Sequence, residues 1–63
     1  MCLSTAYKNR QSDNLILMKN VMNISVDGKD IILTDLMENT ETIRGRLKKV
    51  DMIDNYIIIE VDE

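Results

Sequence analysis

From Ile24 to Leu33 the chain reads Ile24-Ser25-Val26-Asp27-Gly28-Lys29-Asp30-Ile31-Ile32-Leu33, two apolar stretches around an Asp-Gly pair. Asp-Gly supplies the positive φ angles of a type I′ turn, the geometry that joins two right-twisted antiparallel strands. The pattern predicts a β-hairpin, its first arm alternating from Val21 or Met22 to Val26 and its second running from Lys29 to about Leu36.

A second hairpin is expected between residues 40–50 and 56–61, with 51–55 as the connection. Ile43, Gly45 and Leu47 fall on one face of its first arm and Thr42, Arg44, Arg46 and Lys48 on the other, the alternation of a half-buried strand. Gly45 within it signals a bulge, a sharp bend or the close approach of another backbone. Tyr56, Ile57, Ile58 and Ile59 are apolar on both faces, which points to a last strand covered on both sides, for instance by a second chain. Residues 2–8 read as an opening strand, followed by a polar loop over 9–14 and a short strand over 15–18. Helical spacing can be drawn through Leu33, Leu36 and Met37, but Thr34, Asn39, Thr40 and Thr42 are poor helix formers, so at most one helical turn fits there.

Five to six short antiparallel strands in one domain, residues 1–63, predict an all-β fold: a small, strongly bent barrel or sandwich of the SH3-like or Sm-like type. Composition agrees. With no Phe or Trp, and Tyr7 and Tyr56 the only aromatics, the core must be built from Ile, Leu, Val and Met, and branching at Cβ suits a pleated surface. Met22, Met37 and Met52 are expected to fill irregular gaps in that core rather than to offer thioethers to a metal.

A domain of this length buries only about 60% of the surface its unfolded chain exposes, so a staple, a metal or a partner chain is called for. The single cysteine, Cys2, cannot form an internal disulfide, which leaves metal binding or dimerisation. The longest apolar run, Tyr56 to Ile59, is far below the ~18 residues of a membrane span, and a free thiol suits a reduced cytoplasm. Eight Lys and Arg against eleven Asp and Glu, a formal charge of −3, argue against an electrostatic nucleic-acid binder.

The chain has no histidine, so neither Cys–His nor Ser–His–Asp catalysis can be assembled within it, and a non-enzymatic role is expected. The acidic pairs Asp27/Asp30 and Asp51/Asp54 sit at predicted turns, where an Asp bonds its neighbouring backbone. Gly28 and Gly45, the only glycines, cannot make a phosphate-cradling loop.

Cys2 supports two readings. One is a small apolar residue on a strand. In the other, with Met1 kept, the Met1 amine, the deprotonated Cys2 amide and the Cys2 thiolate form adjacent five-membered chelate rings. With Met1 removed, the Cys2 amine, its thiolate and the Leu3 amide nitrogen do the same. Such a planar N/S array suits Ni(II) or Cu(II) and is poor for Zn(II), which prefers a tetrahedron. Cu(II) tends to oxidise thiolates, which favours Ni(II); the fourth donor is water, a carboxylate or the Cys2 of a partner chain.

The start Met1-Cys2-Leu3-Ser4-Thr5-Ala6-Tyr7 resembles the N-terminus of the CooT family of small nickel-binding proteins. The later order is similar too: a Met-rich turn over 17–22, the strand-turn-strand at Ile24 to Gly28, a strand from Ile31 to Leu36, the Gly45-containing strand and an aliphatic last strand. The resemblance implies a β-rich homodimer that binds Ni(II) through Cys2 and acts as a metallochaperone-like accessory protein for nickel enzymes such as carbon monoxide dehydrogenase, or for their maturation factors. Family members have also carried the label of predicted RNA-binding proteins. For that alternative the chain offers Arg44, Arg46 and Lys48, with Lys49, as a basic stripe, and Tyr7 and Tyr56 as the only stacking rings. The same stripe also reads as a solvated strand face.

Overall fold

Strands β2 (Ile16–Asp27) and β3 (Asp30–Asp35) form the expected hairpin in the computed structural model, which describes residues 3–62. Its loop is Gly28 and Lys29, and of these only Gly28 has a positive φ, +62°. The turn therefore follows the type II′ pattern, with glycine at the first central position, and not type I′. Asp27 belongs to the strand, where it pairs with Asp30.

β2 is long because it serves two neighbours. Its first half pairs with β1 (Ser4–Lys8) at Tyr7↔Ile16, Ala6↔Met18 and Ser4↔Val21, and its second half pairs with β3. At the changeover Asn20 adopts φ 58° and the β3 register slips between Val21 and Asn23. The separate strand expected over 15–18 is thus the start of β2, and the stretch from Leu17 to Met22 is strand rather than turn. A single 3-10 turn, Asp13–Leu15, closes the loop before it.

β4 (Thr40–Asp51) repeats the device, pairing with β3 over Thr40 to Arg44 and with β5 (Tyr56–Val61) over Gly45 to Asp51. Gly45 sits where it changes partner. A Cβ at Gly45 would overlap the Glu60 carbonyl oxygen and stand 3.0 Å from the Val61 Cα. Close backbone approach is the reason for the glycine.

The ring closes by pairing β1 with β5, in register from Thr5↔Tyr56 to Lys8↔Ile59. This pair is parallel, which corrects the expectation of antiparallel strands throughout. In a five-strand meander the first and last strands point the same way, so the seam must be parallel. Asn9 locks the seam's far end: its amide donates to the Ile59 carbonyl (2.8 Å), and its Oδ1 accepts from the Val61 amide (3.0 Å). Asn9 and Asn55 both adopt positive φ, which Asn tolerates better than most residues.

Every strand contributes to the core: Ala6, Val21, Ile31 and Leu33, Ile43, and Ile57 and Ile59 are buried, with Leu17, Met18, Ile24 and Val61 packed around them. β3 and β5 alternate buried and half-buried residues at a period of two. The last strand is covered mainly by its own barrel: Ile57 and Ile59 point inward, while Tyr56 and Ile58 are half-buried beside Tyr7, which pairs with Ile58. Leu47, expected inside, is 40% exposed next to a slip in the β4–β5 register between Leu47 and Lys49.

The methionine expectation fails. Met22, Met37 and Met52 are 45%, 79% and 84% exposed, because Met22 lies in the register slip of β2 and the other two in turns, away from inward strand positions. Of the described methionines, Met18 alone packs against the core.

Candidate functional site

The strand that follows the N-terminus is held from both sides. Ser4 pairs with Val21 of β2, and the Thr5 amide donates to the Asn55 carbonyl (3.1 Å) at the start of β5. Ala6 is fully buried. Met1 and Cys2, the proposed donors, lie outside the described residues. Two residues of chain, at most about 7 Å, connect Ser4 to Cys2. Leu3, the third candidate donor through its amide, is half-buried.

Beside Ser4 the barrel end opens into a groove of about 470 Å³. Val21, Met22 and Ile24 from β2 form one side, and Val50, Met52 and Ile57 from the β4–β5 hairpin the other. Among the described residues no charged side chain lines it. Among the described residues no group of three Cys, His, Asp or Glu side chains could hold a metal ion.

The hairpin loop beside the groove is built by Asp51. Its Oδ1 accepts from the amides of Ile53 (2.9 Å) and Asp54 (2.8 Å), the turn role expected of the pair. The Asp54 and Ile53 amides hold the Asp51 carboxyl below the usual carboxylate range, against a smaller opposing effect of desolvation, and Lys49 adds to the lowering. Asp35 does the same in the β3–β4 turn, accepting from the Asn39 side chain and amide and from the Met37 amide, and its pKa is lowered by these bonds.

The residues of the basic stripe have different surroundings. Arg44 lies opposite Asp30, Arg46 Nε donates to Glu60 Oε1 (2.9 Å), and Lys48 Nζ donates to the Asn9 carbonyl (3.4 Å). The Arg46–Glu60 pair is exposed and contributes about 0–1 kcal/mol. Lys49, past the register slip, places Nζ 5.3 Å from the Tyr56 ring centroid, and hydrogen bonding to Tyr56 raises its pKa, with Coulombic attraction to Tyr56, Asp51 and Asp54 adding to it. Tyr7 and Tyr56 meet edge to face with centroids 6.3 Å apart, so the two rings engage each other.

The sequence reading missed the groove. Its β2 wall spans the register slip between Val21 and Asn23, and its β4 wall follows the slip between Leu47 and Lys49, so alternation counted along the chain assigns such positions to the wrong face. The run Met52-Ile53 between Asp51 and Asp54 was the one visible signal, an apolar pair inside a polar turn.

Fold and site together define a small five-stranded all-β barrel whose first strand is clamped beside a groove that the described residues line without a charged side chain. Residues 1–60 match the model of the family described as CO dehydrogenase accessory protein CooT, and the chain belongs to that family. Its fold is similar to a crystal structure assigned to CooT from Carboxydothermus hydrogenoformans, with a TM-score of 0.84 over 98% of this chain and 100% of the other. The two are 14% identical, a likeness of fold alone. No curated protein matches the sequence. Among the described residues no helix is long and apolar enough to cross a membrane.

Proposed function

We propose that this chain is a cytoplasmic Ni(II)-binding accessory protein that supports assembly of a nickel enzyme such as carbon monoxide dehydrogenase. In this reading it is not itself an enzyme. The metal is cargo, held by the Cys2 thiolate and by backbone nitrogens at Met1 or Leu3. One observation carries the reading: a member of the CO dehydrogenase accessory family has its sole thiol at position 2, in a chain without imidazole. The donor set fits the metal, since a thiolate with adjacent chain-end nitrogens makes a planar N/S array.

The barrel's part is to hold the chain directly after those donors. Ser4 and Thr5 are bonded to two different strands, so a ligand set at residues 1–3 is attached to a rigid rim rather than to a loose tail. Three donors leave a fourth position for water, a carboxylate or the Cys2 of a second copy, and the protein is read as a homodimer. The client enzyme or its maturation factors would receive the ion by ligand exchange at that open position.

Nickel titration of the untagged protein tests this. A thiolate-to-metal absorption band and a saturable isotherm are expected, both lost in Cys2→Ser. An N-terminal extension should weaken binding at least tenfold with the thiol intact, because the terminal amine is no longer there. Unchanged affinity in Cys2→Ser refutes the assignment, whereas full affinity in the extended protein keeps the thiol as ligand and refutes the terminal chelate.

A further inference from the structure

The wall that β2 gives to the groove carries one polar residue, Asn23, among Val21, Met22 and Ile24. Ser4 and Asn55 are the other polar residues of the described lining, so every polar side chain it contains is neutral. Among the described residues the β1–β2 ladder ends at Ser4↔Val21, two residues short of Asn23 on one strand and two short of Cys2 on the other. Counted on one for one, the ladder sets Cys2 opposite Asn23. Counted past Met22, the extra residue that β2 carries in its slip against β3, it sets Leu3 opposite Asn23 and Cys2 one step along. On either count Asn23 is the polar residue of the β2 wall that comes beside the chain-end donors. Asn55 lies on the other flank of β1, where its carbonyl accepts from the Thr5 amide.

From this placement we propose that Asn23 is a positioning residue for the nickel site, its carboxamide N–H donating a hydrogen bond to the Cys2 thiolate. The proposal rests on the Ni(II) reading above and deepens it. Facing side chains of an antiparallel pair have Cβ atoms about 5 Å apart, a gap that one carboxamide spans to a thiolate. The surroundings create the need for a donor. A thiolate that leaves water for an apolar wall requires positive charge or hydrogen-bond donors to offset its desolvation. The ion engages one lone pair of the sulfur, the others still call for donors, and the described lining offers no charged side chain to meet them. The carboxamide oxygen is a poor alternative, because a neutral oxygen donor suits Mg(II) or Ca(II) better than an ion held by nitrogen and thiolate sulfur. A ligand bonded in this way keeps its orientation, and loss of such a partner costs roughly 10–100-fold in metal affinity.

Nickel titration of untagged N23A against the parent tests this, with the charge-transfer band as a readout that a merely structural role does not move. N23A should bind nickel about tenfold more weakly. Its thiolate-to-nickel band should move to longer wavelength, because a thiolate without its hydrogen bond is the stronger electron donor. S25A is the control: Ser25 is exposed on the same strand but does not line the groove, and its replacement should change neither quantity. Circular dichroism melts of the three proteins should coincide, since Asn23 is exposed as well. N23D distinguishes the thiolate from the metal as the group that residue 23 faces. A carboxylate beside the thiolate should weaken binding further than N23A, whereas tighter binding puts residue 23 at the fourth coordination position and overturns the hydrogen-bonding role. Parent-like affinity and band position in N23A overturn the assignment of Asn23 and leave the nickel reading standing. A parent protein that binds no nickel overturns the nickel reading, and this inference with it.

Discussion

The two glycines show how far one missing methyl group can shape this barrel. Gly28 needs its conformation: at φ +62° an alanine is strained, yet nothing lies within 4 Å of where its Cβ would be. Gly45 needs its space, since a Cβ there would run into the Glu60 carbonyl, part of the strand to which β4 is bonded. Gly28→Ala should therefore fold and lose about 1–3 kcal/mol, the cost of holding a non-glycine residue in a sparsely populated positive-φ conformation. Gly45→Ala must force β4 and β5 apart at the point where β4 changes partner, in a domain whose core supplies about 3–5 kcal/mol in all. It should not fold to a dispersed native state. Circular dichroism melts and amide nuclear magnetic resonance spectra of the two variants check the contrast, and a well-folded Gly45→Ala would mean that the β4–β5 approach is more yielding than the geometry implies. From the sequence, Gly45 was consistent with a bulge, a bend or a close approach. Choosing among them required knowing which strand lies opposite, information that alternation along one strand does not contain.

At the scale of elements, the turns are set by side chains that accept from their own backbone. Asp51 and Asp35 each accept from two backbone amides, bonds that are stronger to the carboxylate than to the neutral acid, and both have folded-state pKa values below the usual range. A depressed folded pKa gives stability that is present above the unfolded value, about 3.9 for Asp. That stability is lost as the pH falls through the lower folded value. The melting temperature should accordingly be flat from neutral pH to about pH 5 and fall below about pH 4. Asp51→Ala should melt lower than the parent at pH 7, with the difference shrinking as both are acidified below pH 4. A difference that persists at pH 2 would show that Asp51 acts through packing rather than through its charge. These turns were legible in advance, because Asp at the head of a short polar stretch between apolar strands has a local cause. The hairpin strands were legible for the same reason. The groove walls and the exposed methionines were not: each register slip shifts the alternation by one residue, and the slip itself depends on the partner strand.

For the whole molecule, the decisive contact is the parallel seam between β1 and β5, which joins residues at the two ends of the chain. The meander from β2 to β5 is assembled from neighbours in sequence, with a two-residue turn in one hairpin and short turns in the others. Closing the seam adds few new turns but a large loop, and the entropy of that closure is lost before its contacts form. The meander should therefore be substantially formed in the folding transition state and the seam formed late. Ala6 reports on the seam, being fully buried and placed between β2 and β5. Ala6→Gly removes a buried methyl and adds backbone entropy to the unfolded chain, a loss of about 1–2 kcal/mol. It should act almost wholly by speeding unfolding, with a φ-value below about 0.3 in stopped-flow chevrons. Gly28→Ala, in the β2–β3 turn, should instead slow folding, with a φ-value above about 0.5. If Ala6 gave the higher value, closure of the ring would precede the meander. The clamped start of β1, on which the proposed presentation of the N-terminal donors depends, would then be an early feature of the fold rather than its last.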